Sequence, residues 1–365
     1  MNFFFPIYLF NFLMFSSILY LFLSNAKNIS ALNKVICFSC LSFIFTHIMI
    51  FLTLMFQDVS LHEEIIPLWL FSLTTPNFLI LGLLFISTII ANVYKKIVVK
   101  NKFEEFKLKM REKIKKRSKL RNDMIRKIPH VLMFIGFVVV WLIGASIVKQ
   151  ATGSLEGMIP NENNLFLLYF KLFSSPNTIR DVLFSLGWFY YLIFFFFYWF
   201  TLIVLVNEFS RKSRIYAFPF NIFCTITLSE EEMRGYGTYV YFSIGHFFAA
   251  FTCPPMIFFS ILGMSSISDL MASQIGIRFG KKQIFFNKSK TWEGALAGFL
   301  TSILTCILFL GVLWSLIFSL AFFFFDIITE KPLKISDNLL IPFGCALIYL
   351  FLRFFLNLNY ASFLF

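Results

Sequence analysis

Charge is scarce in this sequence: only 14% of its 365 residues are Asp, Glu, Lys or Arg, against 59% hydrophobic residues that include 55 Phe. That shortage excludes a soluble globule built around one core, because too little polar surface is left to cover the apolar residues. Histidine is rare too. The four present (His47, His62, His130, His246) form no HExxH or related pattern, and Cys37-Phe-Ser-Cys40 lacks a second cysteine pair, so nothing points to zinc or redox catalysis. A GxxxxGK[ST] loop is missing, since Gly276-Ile-Arg-Phe-Gly280-Lys281-Lys282 is one residue short and has no hydroxyl, which argues against a Walker-type ATPase. Protein-kinase motifs and nucleic-acid-reading motifs are absent as well, so no nucleic-acid partner is expected. The first apolar run, Phe3 to Ser24, has neither a charged leading region nor a small-residue cleavage site and reads as a retained anchor.

What is present is a succession of long apolar runs. After Phe3–Ser24 come about Val35–Phe56, Ile66–Tyr94, a run ending near Val148, Asp181–Val206, Tyr236–Gly263, Trp292–Phe325 and Leu339–Leu358. As one helix, Tyr236–Gly263 would measure about 42 Å against a hydrocarbon core of about 30 Å, so Pro254-Pro255 is expected to break it into a hairpin. Trp292–Phe325, at about 51 Å, is expected to bend near Gly311 for the same reason. The fold class predicted is an all-α, polytopic membrane bundle of about nine to ten transmembrane helices with broken helical hairpins.

The net charge of +13 is concentrated, with 15 of the 32 Lys and Arg between Lys95 and Lys127. Such clustering suits an anionic membrane face or an anionic substrate. By the positive-inside rule that segment is cytoplasmic and the N-terminus external. The expected organisation is three N-terminal helices (1–94), a basic amphipathic linker (95–125) and a catalytic membrane domain (126–360). Following the spans in turn places the Glu/Arg-rich loop 207–235, the stretch 269–293 and Asp337-Asn338 on the cytoplasmic side too.

One stretch concentrates the residue types of which the rest is short. In Ser266–Gly294, SISDLMASQIGIRFGKKQIFFNKSKTWEG, Asp269 closes an apolar run, Gly276 and Gly280 are expected to make a turn before Lys281 and Lys282, and Lys288, Lys290 and Thr291 lead into Glu293-Gly294. Cations neutralise phosphate oxygens, glycines admit close backbone approach, and a carboxylate holds Mg²⁺ or takes a hydroxyl proton. A lysine-rich loop between membrane helices can also serve topology alone. A carboxylate at the end of an apolar run is harder to place without a use. Both a kinase and a nucleotidyltransferase would employ this set; a transporter would share the broken helices but would gather its polar groups at the midplane.

Four blocks occur in order: Arg126-Lys127-x-x-His130; Arg234-Gly-Tyr-Gly237-Thr-Tyr-x-Tyr-Phe242; Asp269-x-x-Ala-Ser-x-x-Gly276-x-Arg278-Phe-Gly280-Lys281 with Lys288-Ser-Lys290-Thr291-x-Glu293-Gly294; and Asp337-Asn338-Leu-x-Ile-Pro342. Through these, residues 126–358 resemble the dolichol kinase, phytol kinase and CTP-dependent diacylglycerol kinase family, itself distantly similar to phosphatidate cytidylyltransferases. The resemblance implies transfer of the γ-phosphate of CTP to the terminal hydroxyl of a polyprenol or dolichol-type alcohol, with Mg²⁺ as cofactor. It implies Asp269 as metal ligand or base, with Glu293 and Asp337 completing the catalytic carboxylates and Asp337 a second metal ligand. Gly276, Arg278, Gly280, Lys281, Lys288, Lys290, Thr291 and Asn338 would hold the nucleotide, and Arg126, Lys127, His130 and Arg234 a phosphate or headgroup. Diacylglycerol phosphorylation and cytidylyl transfer to a lipid phosphate stay open as alternatives. Two departures stand out: Ser268 replaces the usual glycine before the aspartate, and the acidic residue expected ahead of Asp337 would be Asp326, at a longer spacing.

Overall fold

A computed structural model describes residues 4–57, 65–97, 109, 112, 116–153, 188–213, 228, 232, 235–329 and 331–360. Residues 98–108, 110–111 and 113–115 of the expected amphipathic linker lie outside the described residues, as does Arg234. The chain is a multi-pass membrane protein: among the described residues, eight helices are long and apolar enough to cross a bilayer. In chain order the elements are α1 (Phe4–Asn25), α2 (Ala31–Gln57), α3 (Ile65–Ile97), α4 (Lys119–Thr152), α5 (Trp188–Ser213), α6 (Thr238–Thr252), α7 (Pro255–Gly263), α8 (Asp269–Phe279), β1 (Gln283–Ile284), β2 (Asn287–Thr291), α9 (Trp292–Ile328) and α10 (Asp337–Leu356). Helix dominates because only a helix satisfies its backbone groups within one segment in lipid.

Both expected breaks form. Cys253 and Pro254 are extended (ψ 144° and 159°), so α6 ends and α7 starts afresh with Pro255 in its first turn. Gly311 takes φ 72°, ψ −178°, a conformation closed to residues with a Cβ, and turns the second half of α9 back along the first. Contacts between Trp292 and Phe323 (6.2 Å) and between Phe299 and Phe323 (6.0 Å) record that return. Along the first half of α9, Trp292, Leu296, Leu300, Leu304 and Leu308 are exposed at four-residue steps, while Ala295, Gly298, Ser302 and Cys306 are buried. Large side chains thus face lipid and small ones let the helices meet. One hydrophobic core joins residues from Phe15 and Leu41 in the N-terminal helices to Phe258, Phe318 and Tyr349.

Two boundaries differ from expectation. The fourth span begins at Lys119, where the Ser118 hydroxyl accepts the Arg121 N–H at 3.3 Å, and runs straight through Pro129, placing Arg126 and Lys127 inside the helix. At 34 residues it is about 51 Å long, so its first turns extend past a hydrocarbon core of about 30 Å. The second half of the Pro254-Pro255 hairpin does not stop at Gly263 either. A π-helical turn, Met264–Ser268, joins α7 to α8, so Asp269 lies within a continuous helical path and Gly276 is helical, not in a turn.

Gly276 and Gly294 are instead the points where α8 and α9 touch. A Cβ on Gly294 would lie 2.6 Å from the Ala272 carbonyl oxygen and 3.0 Å from Gly276 Cα, both rigid backbone atoms. Gly136 has nothing within 4 Å of the corresponding position. Gly294→Ala is therefore expected to cost about 1–3 kcal/mol through overpacking, whereas Gly136→Ala should be neutral or stabilising by up to about 1 kcal/mol. Thermal unfolding in detergent micelles checks the contrast; equal midpoints for the two variants would show that this contact is not tight.

Candidate phosphate and cation site

The two hairpins and the β1–β2 ribbon bring distant polar residues to one cavity of about 960 Å³. Arg126 and Lys127 of α4, Gly276, Ile277 and Gly280 at the end of α8, Lys288–Thr291 of β2 and Asp337-Asn338 of α10 all line it, joined by Asp123, Glu232, Asp326 and Lys334. Six basic side chains (Arg126, Lys127, Lys281, Lys288, Lys290, Lys334) thus face four acidic ones, an imbalance that favours an anion. The volume is of the order of other small-molecule sites, about 300–1,000 Å³.

Asp269, Asp326 and Asp337 each offer a carboxylate oxygen within 4.8 Å of the others. Asp326 occupies the last turn of α9 and Asp337 the first turn of α10, so the returning half of α9 and the start of α10 deliver them together. Asp269 is 3% exposed and does not itself line the cavity. Two lysines hold the trio. Lys127 Nζ lies 2.9 Å from Asp269 Oδ1, donates to the Asp269 carbonyl oxygen at 2.8 Å, and is 3.7 Å from Asp123. Lys290 Nζ lies 2.6 Å from Asp326 Oδ1 and 3.6 Å from Asp337 Oδ2. Burial alone would lower the Lys290 pKa, but the carboxylates of Asp326, Asp337 and Asp269 outweigh it and hold the ammonium well above the ordinary lysine range.

Local structure explains the aim of each group. Strand β2 pairs antiparallel with β1 and is pinned by Asn287, whose amide donates to the carbonyls of Ile327 (3.0 Å) and Thr329 (2.7 Å) at the end of α9. Three residues on, Lys290 meets Asp326 from the same helix end. Thr291 is the N-cap of α9, its hydroxyl accepting the Gly294 N–H at 3.2 Å. Asp337 Oδ1 accepts from the Asn338 N–H (2.8 Å) and Nδ2 (2.9 Å), leaving Oδ2 toward Lys290. Asp123 accepts from Ser273 Oγ (2.5 Å) and Gln274 Nε2 (3.0 Å), which ties α4 to α8. On the other side Arg126 bonds Glu232 at 2.8 Å and Thr238 at 3.3 Å. The π turn leaves the Ser266 and Ser268 hydroxyls without a hydrogen-bond partner among the described residues, close to Asp269 in the chain.

Some residues singled out from sequence stand elsewhere. Arg278 is exposed on α8 and does not line the cavity. Glu293 lies off the wall, its carboxylate accepting the Lys282 N–H at 3.2 and 3.3 Å, which closes the ribbon onto α9. His130 packs face to face on Phe242, ring centroids 3.9 Å apart, and is not on the wall. Gly276 and Gly280 line the cavity, yet the space they leave is taken by Thr291 and α9 rather than by an open phosphate-binding turn. Conversely, Asp123, Glu232 and Lys334 were not marked by any motif. Asp326 carried a signal, since an acid closing so long an apolar run needs compensation.

All three carboxylates are hard oxygen donors, the kind that suits Mg²⁺ or Mn²⁺, so this trio could hold a divalent cation in place of, or together with, the lysine ammoniums. No family model, curated protein or solved structure matches this chain.

Removing Lys290 would leave Asp326, 1% exposed, as an uncompensated buried charge. In chelator, Lys290→Met is expected to lose about 3–5 kcal/mol of stability, and the double variant Lys290→Met/Asp326→Leu to recover most of it. Because the folded-state pKa of Lys290 is raised, its contribution is complete below about pH 10, the unfolded lysine value, and fades only as pH climbs through the higher folded value. The gap between parent and Lys290→Met should accordingly stay constant from about pH 6 to about pH 9. Unfolding in micelles across that range measures both; a gap that closes below pH 9 would show that Lys290 is not held charged.

Proposed function

We propose that this protein is a membrane phosphotransferase that moves the γ-phosphate of a nucleoside triphosphate, CTP by resemblance, to the terminal hydroxyl of a polyprenol or dolichol-type alcohol on the cytoplasmic face. One observation carries the reading: a carboxylate trio and six basic side chains, drawn from segments up to about two hundred residues apart, converge on one cavity at the end of an apolar bundle. Mg²⁺ would be held by Asp269, Asp326 and Asp337, and when bound it would neutralise phosphate charge and polarise the transferred group.

The chain's own residues supply the rest. Lys281, Lys288, Lys334 and Arg126 bind the phosphate oxygens from the wall, and Lys290 spans the gap between them and the carboxylates. Lys127 pairs with Asp269 and fixes its orientation. Phosphoryl transfer passes through a loose transition state, so alignment of the alcohol and charge neutralisation are the main demands. The alcohol proton passes to a carboxylate oxygen, for which Asp337 Oδ2, unengaged by Asn338, is placed on the wall. The apolar membrane-spanning helices supply the surroundings in which a long isoprenoid chain dissolves.

The test is a transfer assay with purified protein in detergent, Mg²⁺, γ-labelled CTP or ATP, and dolichol, shorter polyprenols, phytol and diacylglycerol. Label entering a lipid from CTP supports the reading and names the acceptor. Pyrophosphate release with phosphatidate, and no labelled lipid, would replace it by cytidylyl transfer. Asp269→Asn, inserted and folded normally, is expected to lower the transfer rate by at least about a hundredfold, as removal of a metal site's support does. Undiminished transfer by that variant would remove Asp269 from the chemistry.

A further inference from the structure

The three N-terminal helices lie outside the blocks that define the site, yet two of them reach it. From α1, the Phe22 carbonyl oxygen accepts the Tyr236 O–H at 3.2 Å, two residues before Thr238, which bonds Glu232 and Arg126 on the cavity wall. From α2, Asn33 lines the cavity itself. Asn33 sits in the first turn of α2, where its N–H donates to the Ser30 hydroxyl at 3.3 Å, and it is 8% exposed.

Its side chain makes one bond that spans nearly the whole chain. Asn33 Oδ1 accepts the backbone N–H of Ser336 at 3.0 Å. Ser336 is the N-cap of α10; its carbonyl receives the N–H groups of Leu339 and Leu340 (3.1 and 2.9 Å), and its own hydroxyl caps nothing. A bond to the Ser336 N–H therefore fixes, from outside the helix, the first turn that carries Asp337 and Asn338. Only an oxygen can accept from a backbone N–H, so the amide has one orientation. Its Nδ2, with two donors, has no hydrogen-bond partner among the described residues.

We propose that the N-terminal helices complete this site through Asn33, whose Oδ1 sets the place of Asp337 in the carboxylate trio and whose Nδ2 donates to an anionic oxygen of a phosphate-bearing ligand. The positioning half rests on the geometry around α10 and the donor half on the phosphate-transfer reading of the same cavity. No block of the sequence contains Asn33, and no resemblance assigns it a role.

Three variants separate the halves. Asn33→Ala removes both functions. Asn33→Asp keeps the acceptor for Ser336 but exchanges the two donors for a charge that repels phosphate. Ser336→Pro deletes the same hydrogen bond from the other side, at φ −69°, which already suits proline. The full-length protein in micelles is titrated first with Mn²⁺, read by the electron paramagnetic resonance of the free ion, and then with CTP in saturating Mn²⁺; gel filtration reports folding. Asn33→Ala and Ser336→Pro are expected to weaken Mn²⁺ binding about tenfold, the effect of losing a group that orients a ligand, while Asn33→Asp retains it. Asn33→Asp is expected to bind CTP at least about tenfold more weakly, the equivalent of one hydrogen bond to a charged group.

Parental Mn²⁺ affinity in folded Asn33→Ala or Ser336→Pro would overturn the positioning role. Parental CTP affinity in Asn33→Asp would overturn the donor role. A parent that binds Mn²⁺ but not CTP would overturn the donor role together with the nucleotide reading, with the Mn²⁺ series still deciding the other half. A parent that binds neither overturns the reading of the site and this inference with it.

Discussion

A carboxylate cannot be left uncompensated in apolar surroundings, and this molecule buries two of its three clustered aspartates almost completely. Asp269 and Asp326 are 3% and 1% exposed, and each is met by one lysine, Lys127 at 2.9 Å and Lys290 at 2.6 Å. The desolvation of such charges exceeds what a loose ion pair returns, so the geometry has to be close and the partners have to be held. Holding them is what much of the surrounding structure does. Asp123 fastens α4, and with it Lys127, to α8 through Ser273 and Gln274. Asn287 fastens the β-ribbon, and with it Lys290, to the end of α9.

The helical hairpins follow from the same demand. A chain that placed Asp269 and Asp326 at opposite membrane borders could not pair both in one cluster. The break at Pro254 and the reversal at Gly311 return the two acids to one end, where α4 and the ribbon can reach them. Close contact between α8 and α9 at Gly276 and Gly294 then sets the distance between Asp269 and the strand that carries Lys290. An arrangement built to neutralise three acids with two ammoniums is also one into which a divalent cation can enter with little rearrangement of charge.

Part of this was legible from the amino-acid order. Run lengths set against bilayer thickness located the spans, and the two breaks were legible because proline and glycine act through local backbone sterics. The blocks around residues 126, 269, 288 and 337 were recognisable as polar residues that an apolar chain retains, and the structure brings their central members to one cavity. Less legible were the helix ends. Pro129 lies ten residues inside a helix that starts at Lys119 under a Ser118 cap, and Gly276, expected in a turn, is a helix contact. In both cases a residue with a strong local preference serves a different purpose in packing.

The sequence by itself determined that this is an all-helical membrane protein, where its helices break, and that acids and lysines recur in the same few segments. Those properties depend on hydrophobicity and backbone sterics over a few neighbouring residues, which can be read without knowing the fold. Only the tertiary structure decided which acid meets which lysine, that Asp326 and Asp337 line the cavity while Asp269 does not, and that Asn33 bonds the start of α10 across 303 residues. Short-range charge pairing and hydrogen bonding act over about 3 Å, and what lies within that distance is fixed by how the helices pack rather than by their order along the chain.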